Sequence, residues 1–366
     1  MKGRQEKNIT PGRRLVAAVV LAAAGAALGG AARGIPGFGQ WYSTHIYPVL
    51  VGGIGRVTGL VPFSVAEVLL YAGVLFFLVS GGRQIFRRLR RIGRKGEGAR
   101  WLAGVALAAG ILFFLYMACC GVNYYRESFA ESTGIRRDRY TVEELQEVCL
   151  WLTEEVNTWS AQVPRGQDGQ MELKGSSEKK AVEAMESLGE IYPQLEGYYP
   201  RPKGLLNPWI LSVQKLTGVY SPFTIEANYN TAMTPYNIPF TACHELSHLR
   251  GFMQEEEANF IAFLACRRSE EAEFQYSGAM LGWINCMNVL YEADYESWEE
   301  IRGQLGEEAN VDLAANSQFW SRYDGRVAEV ADQVNDRYLK ANGQKDGVES
   351  YDRMADLIVA WYLEQR

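Results

Sequence analysis

Residues 239–268 read PFTACHELSHLRGFMQEEEANFIAFLACRR, and the spacing within this stretch decides how the second half of the chain folds. His244 and His248 stand four apart, which on a helix of 3.6 residues per turn leaves them about 40° apart on one face, so both imidazoles can reach one ion. Glu245 lies one step around from His244. That is too far for easy ligation, but its carboxylate can reach a water on the open side of the same ion. This division of labour points to a zinc peptidase, with two histidines as ligands and Glu245 as general base. The chain has only three histidines, and two of them form this pair. Cys243, Leu246 and Leu249 add apolar groups expected of a helix packed inside a domain, and Gly251 supplies the residue that ends it.

A second helix, roughly residues 254–268, brings back the third ligand. Glu255 heads a facing stripe continued by Ala258, Ala262 and Ala265, whose small side chains let the two helices approach closely. Glu256 leads instead to Phe260 and Phe263, bulky core residues that line a metal seam poorly. Glu255 is therefore the preferred ligand, with Glu256 and Glu257 left open because a helix start is uncertain by a residue or two. Asn259, one turn after Glu255, is placed to orient a ligand through a hydrogen bond. Tyr276, Arg267 and Arg268 are the candidate donors to an oxyanion.

HELSH followed by E-x-x-A-N resembles the gluzincin pattern of HExxH with E-x-x-A-D or E-x-x-A-N, in which the first Glu of the second motif is the third zinc ligand. Only six residues separate His248 from Glu255, fewer than in most such families. HExxHxxG is also similar to the metzincin pattern, but there the third His would fall at Gln254, which disfavours that class.

Outward from this core, charge divides the chain. Residues 1–121 hold 15 Lys and Arg against 3 Asp and Glu, and residues 122–366 hold 22 against 40. The division predicts a membrane anchor over 1–121 and an acidic water-facing domain over 122–366. Three apolar stretches, residues 15–32, 61–80 and 101–121, are each near the roughly 20 residues a bilayer core requires. Glu67 falls near one end of the second, where an interface location is tolerable. Residues 83–100 carry eight basic residues and one acid, and the N-terminus is also basic, whereas residues 33–60 carry Arg33 and Arg56 alone. The positive-inside rule then places the N-terminus and the 83–100 loop in the cytoplasm and the acidic domain outside. Trp41, Tyr42 and Tyr47 suit an aromatic belt at the interface. His45, among them, reads as a surface residue rather than a ligand.

Between anchor and core, TVEELQEVCLWLTEEVNTWSAQV reads as an amphipathic helix opened by Thr141, residues 164–180 as a polar loop, and AVEAMESLGEIYPQL as another helix. Next, Phe223, Thr224, Ile225, Glu226, Ala227 and Asn228, within a segment running to Asn230, read as a strand whose open edge could pair with an extended substrate. QYSGAMLGWINCMNVLYEAD and most of the remaining chain have helical periodicity, broken at Asn342 and Gly343. None of the six cysteines (Cys119, Cys120, Cys149, Cys243, Cys266, Cys286) forms a C-x-x-C pair, and the last four read as core residues. No glycine-rich phosphate loop or internal repeat is present. Clustered arginines lying between two apolar stretches read as a membrane loop and not as a nucleic-acid surface.

Several segments together resemble a bacterial membrane family catalogued as domain of unknown function 3810. They are VPFSVAEVLLYAG, GVNYYR, YSPFTIEANYN, the HELSHLRGFMQEEEANFIAFLAC core, QYSGAM and VNDRYLKANGQKDGVESYDRMADLIVAW. The resemblance implies three transmembrane helices followed by an α+β, gluzincin-like domain, mainly helical, with a small sheet and a helical C-terminal part. It implies no substrate. The expected function is a membrane-anchored zinc metallopeptidase acting on a peptide or a membrane-proximal protein. The alternative is a non-catalytic zinc-binding membrane receptor or envelope assembly factor. A site inside the bilayer is disfavoured, because HELSH follows the last apolar stretch by more than 120 residues and has charged flanks. A reporter fused after Arg366 should register outside the cytoplasmic membrane and one inserted within residues 83–100 inside it; the reverse pattern would refute the three-span orientation.

Overall fold

The computed structural model describes residues 11–135, 140–342, 344 and 353–365. The basic residues before Pro11, Gly343 and part of the last family-like segment lie outside them. Three helices are long and apolar enough to cross a membrane: Pro11–Gly34, Val65–Leu89 and a third beginning at Glu97. The second starts four residues later than its hydropathy suggests, because Ser64 takes an extended conformation and its side chain accepts the Glu67 amide as an N-cap. It then runs on to Leu89, into the basic loop.

The first and third spans pack side by side in the same direction. Gly110 lies so close to the first span that an added Cβ would stand 2.8 Å from the Ala18 carbonyl, and Gly25 and Gly29 meet Phe113 and Met117. Small residues at such a seam let helix backbones approach where burial in lipid gives no hydrophobic drive. The second span touches the third near the basic loop, through Trp101 on Phe77 and Ser80 and through the Arg87–Glu97 ion pair.

Beyond the third span the helix continues as a π-turn, Met117–Gly121, and a short 3-10 turn, Asn123–Tyr125. The loop between the first two spans is itself helical, and Tyr42, Tyr47 and Val51 join the same core as the HELSH helix. That helix, Asn237–Leu249, is central, with Cys243, Leu246 and Leu249 wholly buried. Around it pack Ser177–Gly189, Glu255–Arg268 and Ala272–Ala293. Val142–Ser160 lies outside Ala272–Ala293 and opens with a capping box between Thr141 and Glu144. All six cysteines are buried and unpaired with one another.

The sheet corrects the expectation for residues 223–228. It has three strands, β1 (Lys203–Gly204), β2 (Gly218–Ser221) and β3 (Glu226–Tyr229), in the order β1-β3-β2. β3 pairs in parallel with β1 and antiparallel with β2, so both its edges are filled and it has none for a substrate. Phe223, Thr224 and Ile225 form the turn before it, with Ile225 at φ 51°. A local sequence pattern gives strand propensity but not position in the sheet, and β2 holds the outer place instead.

Glu226 has a different task. Its carboxylate accepts the Val65 and Ala66 amides at the start of the second span and pairs with the buried Lys203 ammonium. Glu67 reciprocates, accepting the Leu206 and Asn207 amides at 2.8 Å each. The sheet is thereby joined to the membrane helix by charge-assisted bonds. Glu226→Ala leaves Lys203 buried without its counter-ion and should cost about 3–5 kcal/mol. Glu183→Ala, which breaks the exposed Lys179–Glu183 pair, should cost under about 1 kcal/mol in the same detergent unfolding assay.

Candidate metal centre

The HELSH helix ends in a Schellman motif: the Gly251 amide donates to His248 O (2.8 Å) and the Phe252 amide to Ser247 O (3.2 Å). Gly251 sits at φ 92°, in the left-handed region, and a Cβ there would press on Arg126 and Tyr47. The turn also sets a histidine. Phe252 O lies 2.8 Å from His248 Nδ1, which keeps a proton on Nδ1 and leaves Nε2 as the ring atom that faces Glu255.

After the turn, Gln254 is extended and Glu255 opens the next helix facing the histidines. Its carboxylate stands 3.3 Å from His244 Nε2 and 3.7 Å from His248 Nε2. One donor atom from each of the three residues lies within 4.8 Å of the others. Two donors bound about 2.1 Å from one tetrahedral ion stand about 3.4 Å apart, so this set fits a zinc-sized cation. Two imidazoles and a carboxylate are also the donor types that ion accepts. Ala258, Ala262 and Ala265 are buried, as a close approach of the two helices requires.

Neighbouring acids separate cleanly. Glu256 accepts a hydrogen bond from Gln344 and Glu257 one from the Ala130 amide, so both have structural partners away from the cluster. Asn259 lines the same cavity and favours the charged form of His244.

Burial and mutual charge set the protonation of the cluster. Burial works against charge on His248, yet Glu255 more than offsets it and raises its pKa to about 9. Burial alone would raise Glu255, but His248 and then His244 hold it well below the usual carboxylate range. His244 is lowered, by burial first and by His248 second. Glu245 is pushed up to about 8 by burial. Its Oε2 has no hydrogen-bond partner among the described residues. Gly218 of β2 lies against it, so close that a Cβ would come within 2.4 Å of Oε1.

The cluster opens into a cavity of about 460 Å³ whose walls include β2, Cys120 and Tyr124 beyond the third span, and Asn335 and Tyr338. The last two come from a helix, Arg326–Ala341, that covers one side. Tyr124 donates to the Tyr338 hydroxyl at 3.2 Å, and Cys120 lies 3.5 Å from it. None of these wall residues stood out in sequence, because nothing local ties positions 120, 218 and 338 together.

The three expected oxyanion donors lie elsewhere. Tyr276 is wholly buried and gives its hydroxyl to Asp312 at 2.7 Å. Arg267 pairs with Glu155 and lies against Trp151 and Trp361, while Arg268 bonds Ser187 O and Glu190. Arg267 and Arg268 are twelve and thirteen residues along the helix from Glu255, about 18–20 Å away. His45 stacks on Trp41 at the surface and takes no part in the cluster.

A mainly helical chain with three membrane-spanning helices, a small mixed sheet and a buried His–His–Glu cluster is thus a membrane protein carrying a candidate metal centre. It belongs to the family described as Protein of unknown function (DUF3810), whose sequence model matches residues 42–359. No curated protein and no solved structure matches the chain.

Glu255→Ala should abolish tight zinc binding by the purified protein with a modest change in melting temperature. Glu256→Ala and Glu257→Ala should instead retain zinc and melt earlier. Metal content and a thermal scan of the three variants decide this, and zinc lost from Glu256→Ala alone would reassign the ligand.

Proposed function

We propose that the chain is a membrane-anchored metallopeptidase, gluzincin-like in its site, that holds zinc on His244, His248 and Glu255 and hydrolyses peptide bonds. The observation that carries this reading is Glu245, a buried carboxylate beside the ligand cluster with an oxygen that meets no hydrogen-bond partner among the described residues. A purely structural metal site has no use for such a group, which argues against the receptor alternative. Bound there, zinc would supply Lewis-acid polarisation of the scissile carbonyl and increase the acidity of the attacking water.

The chain's own residues supply the rest. Glu245 accepts the proton of that water and returns it to the leaving amine, a task favoured by a pKa near neutrality. β2 has one neighbour in the sheet, and its residues Gly218 and Val219 line the cavity, so an extended substrate can hydrogen-bond along its other edge. Tyr338 lines the same cavity with its hydroxyl accepting from Tyr124, and it is the candidate donor to a developing oxyanion. The basic 83–100 loop orients the domain to the extracytoplasmic side.

The deciding experiment uses the full chain in detergent with a peptide library, read by mass spectrometry. Glu245→Gln should keep its zinc and lose about 10²–10⁴-fold in turnover, the usual contribution of a general base. Chelation should remove activity, and added zinc should restore it. Cleavage that survives Glu245→Gln overturns the mechanism; a protein that binds zinc yet cleaves nothing favours the receptor reading.

A further inference from the structure

Resting on the peptidase reading above, we propose that the substrate is a membrane-anchored polypeptide, cut in the extended segment immediately outside the bilayer. Three independent features fix the cleft at that height. The first is the third span, which runs without a break into the π-turn Met117–Gly121. Cys120 in that turn lines the cavity of the ligand cluster, and its thiol contacts Met253, two residues before Glu255. The membrane helix therefore ends in the wall of the cleft.

A second link is the sheet. β3 is bonded through Glu226 to the first amides of the second span, and Glu67 of that span holds the Leu206 and Asn207 amides. β2, paired to β3, is one strand, about 5 Å, further away. Its register places Ser221 opposite Glu226, so the substrate-binding edge begins beside the point where the second span emerges.

The third feature is an apolar collar at this level. Leu60 is 83% exposed, Leu206 72% and Trp209 61%, and Phe223, in the turn between β2 and β3, is 41% exposed. Leu60 precedes the second span by one turn of chain, and Leu206 is the residue whose amide Glu67 holds. Large apolar side chains left outside a core and gathered where spans emerge belong in the headgroup region, where Trp is enriched.

The geometry makes the cleft a ruler. An extended chain advances about 3.3 Å per residue, and Gly218 in the cleft lies three residues, about 10 Å, along β2 from Ser221 beside the emerging span, so the cleft engages bonds a few residues from the membrane. A substrate held in the same bilayer also meets the cleft at an effective concentration no soluble peptide matches.

The test reconstitutes the full chain in phosphatidylcholine/phosphatidylglycerol vesicles with a reporter made of one transmembrane helix followed by a 20-residue degenerate polar segment and an affinity tag. The same degenerate segment is supplied separately as a soluble peptide. Glu245-dependent cuts should cluster within about six residues of the reporter's helix and form at least tenfold faster than in the soluble peptide. Cuts spread evenly along the segment, or equal rates on the soluble form, overturn the substrate assignment and leave the peptidase reading standing. A second measurement does not depend on catalysis. Because all six native cysteines are buried, Val219→Cys can be labelled alone with a fluorophore, and headgroup-spin-labelled lipid should quench it. Absence of quenching overturns the placement of the cleft; quenching without Glu245-dependent cleavage of either form overturns the substrate assignment together with the peptidase reading.

Discussion

The reversal at Gly251 is the constraint on which the candidate site depends. Six residues separate His248 from Glu255, room for one tight turn and no more. The Schellman bonds of Gly251 and Phe252 close the first helix, and the extended Gln254 launches the second with its first side chain already facing back. One turn thus sets the separation of the ligands, the tautomer of His248 and the phase of the following helix. A residue with a Cβ at position 251 would meet a left-handed φ and two fixed neighbours at once.

Charge within the cluster follows from this closeness. A carboxylate buried against two imidazoles holds a proton on His248 and gives up its own. A bound cation would take the place of that proton on the same atoms, so metal affinity and protonation compete directly. Glu245 is no member of the ligand set, though it senses the charges of His248 and Glu255. It faces the cavity beside Gly218, and its raised pKa comes from burial first, with His248 opposing the shift and Glu255 adding to it.

What the sequence disclosed was what local periodicity controls. The i,i+4 histidines, the alanine stripe behind Glu255, the helix start at Thr141 and the three apolar spans are each written within one helix, and each has its counterpart in the structure. Strand order is not written that way. Residues 226–229 have strand propensity whether they lie at an edge or in the middle, and the partner that fills their second edge, Lys203–Gly204, is only two residues long. The oxyanion candidates failed for a similar reason: Tyr276 and the two arginines were near the motif in sequence, but helix length and phase carry them to Asp312, Glu155 and Glu190. Cys120, Gly218 and Tyr338 reach the cleft through tertiary packing alone.

The second span is held at its start by the sheet and over its second half by the third span. Glu226 and Glu67 bind its first turn to the sheet, Trp101 meets Phe77 and Ser80 midway along it, and Glu97 pairs with Arg87 near its end. Its 25 residues make a rod about 37 Å long. A rod pinned in this way transmits displacement better than it absorbs it. A tilt of about 5° at the basic loop shifts the far end by about 3 Å, a distance comparable to the gaps among the ligands themselves. The strand that receives that shift is β3, and β3 is bonded to the strand against which Glu245 rests. The second span is therefore one continuous lever between the basic loop and the sheet that walls the cleft.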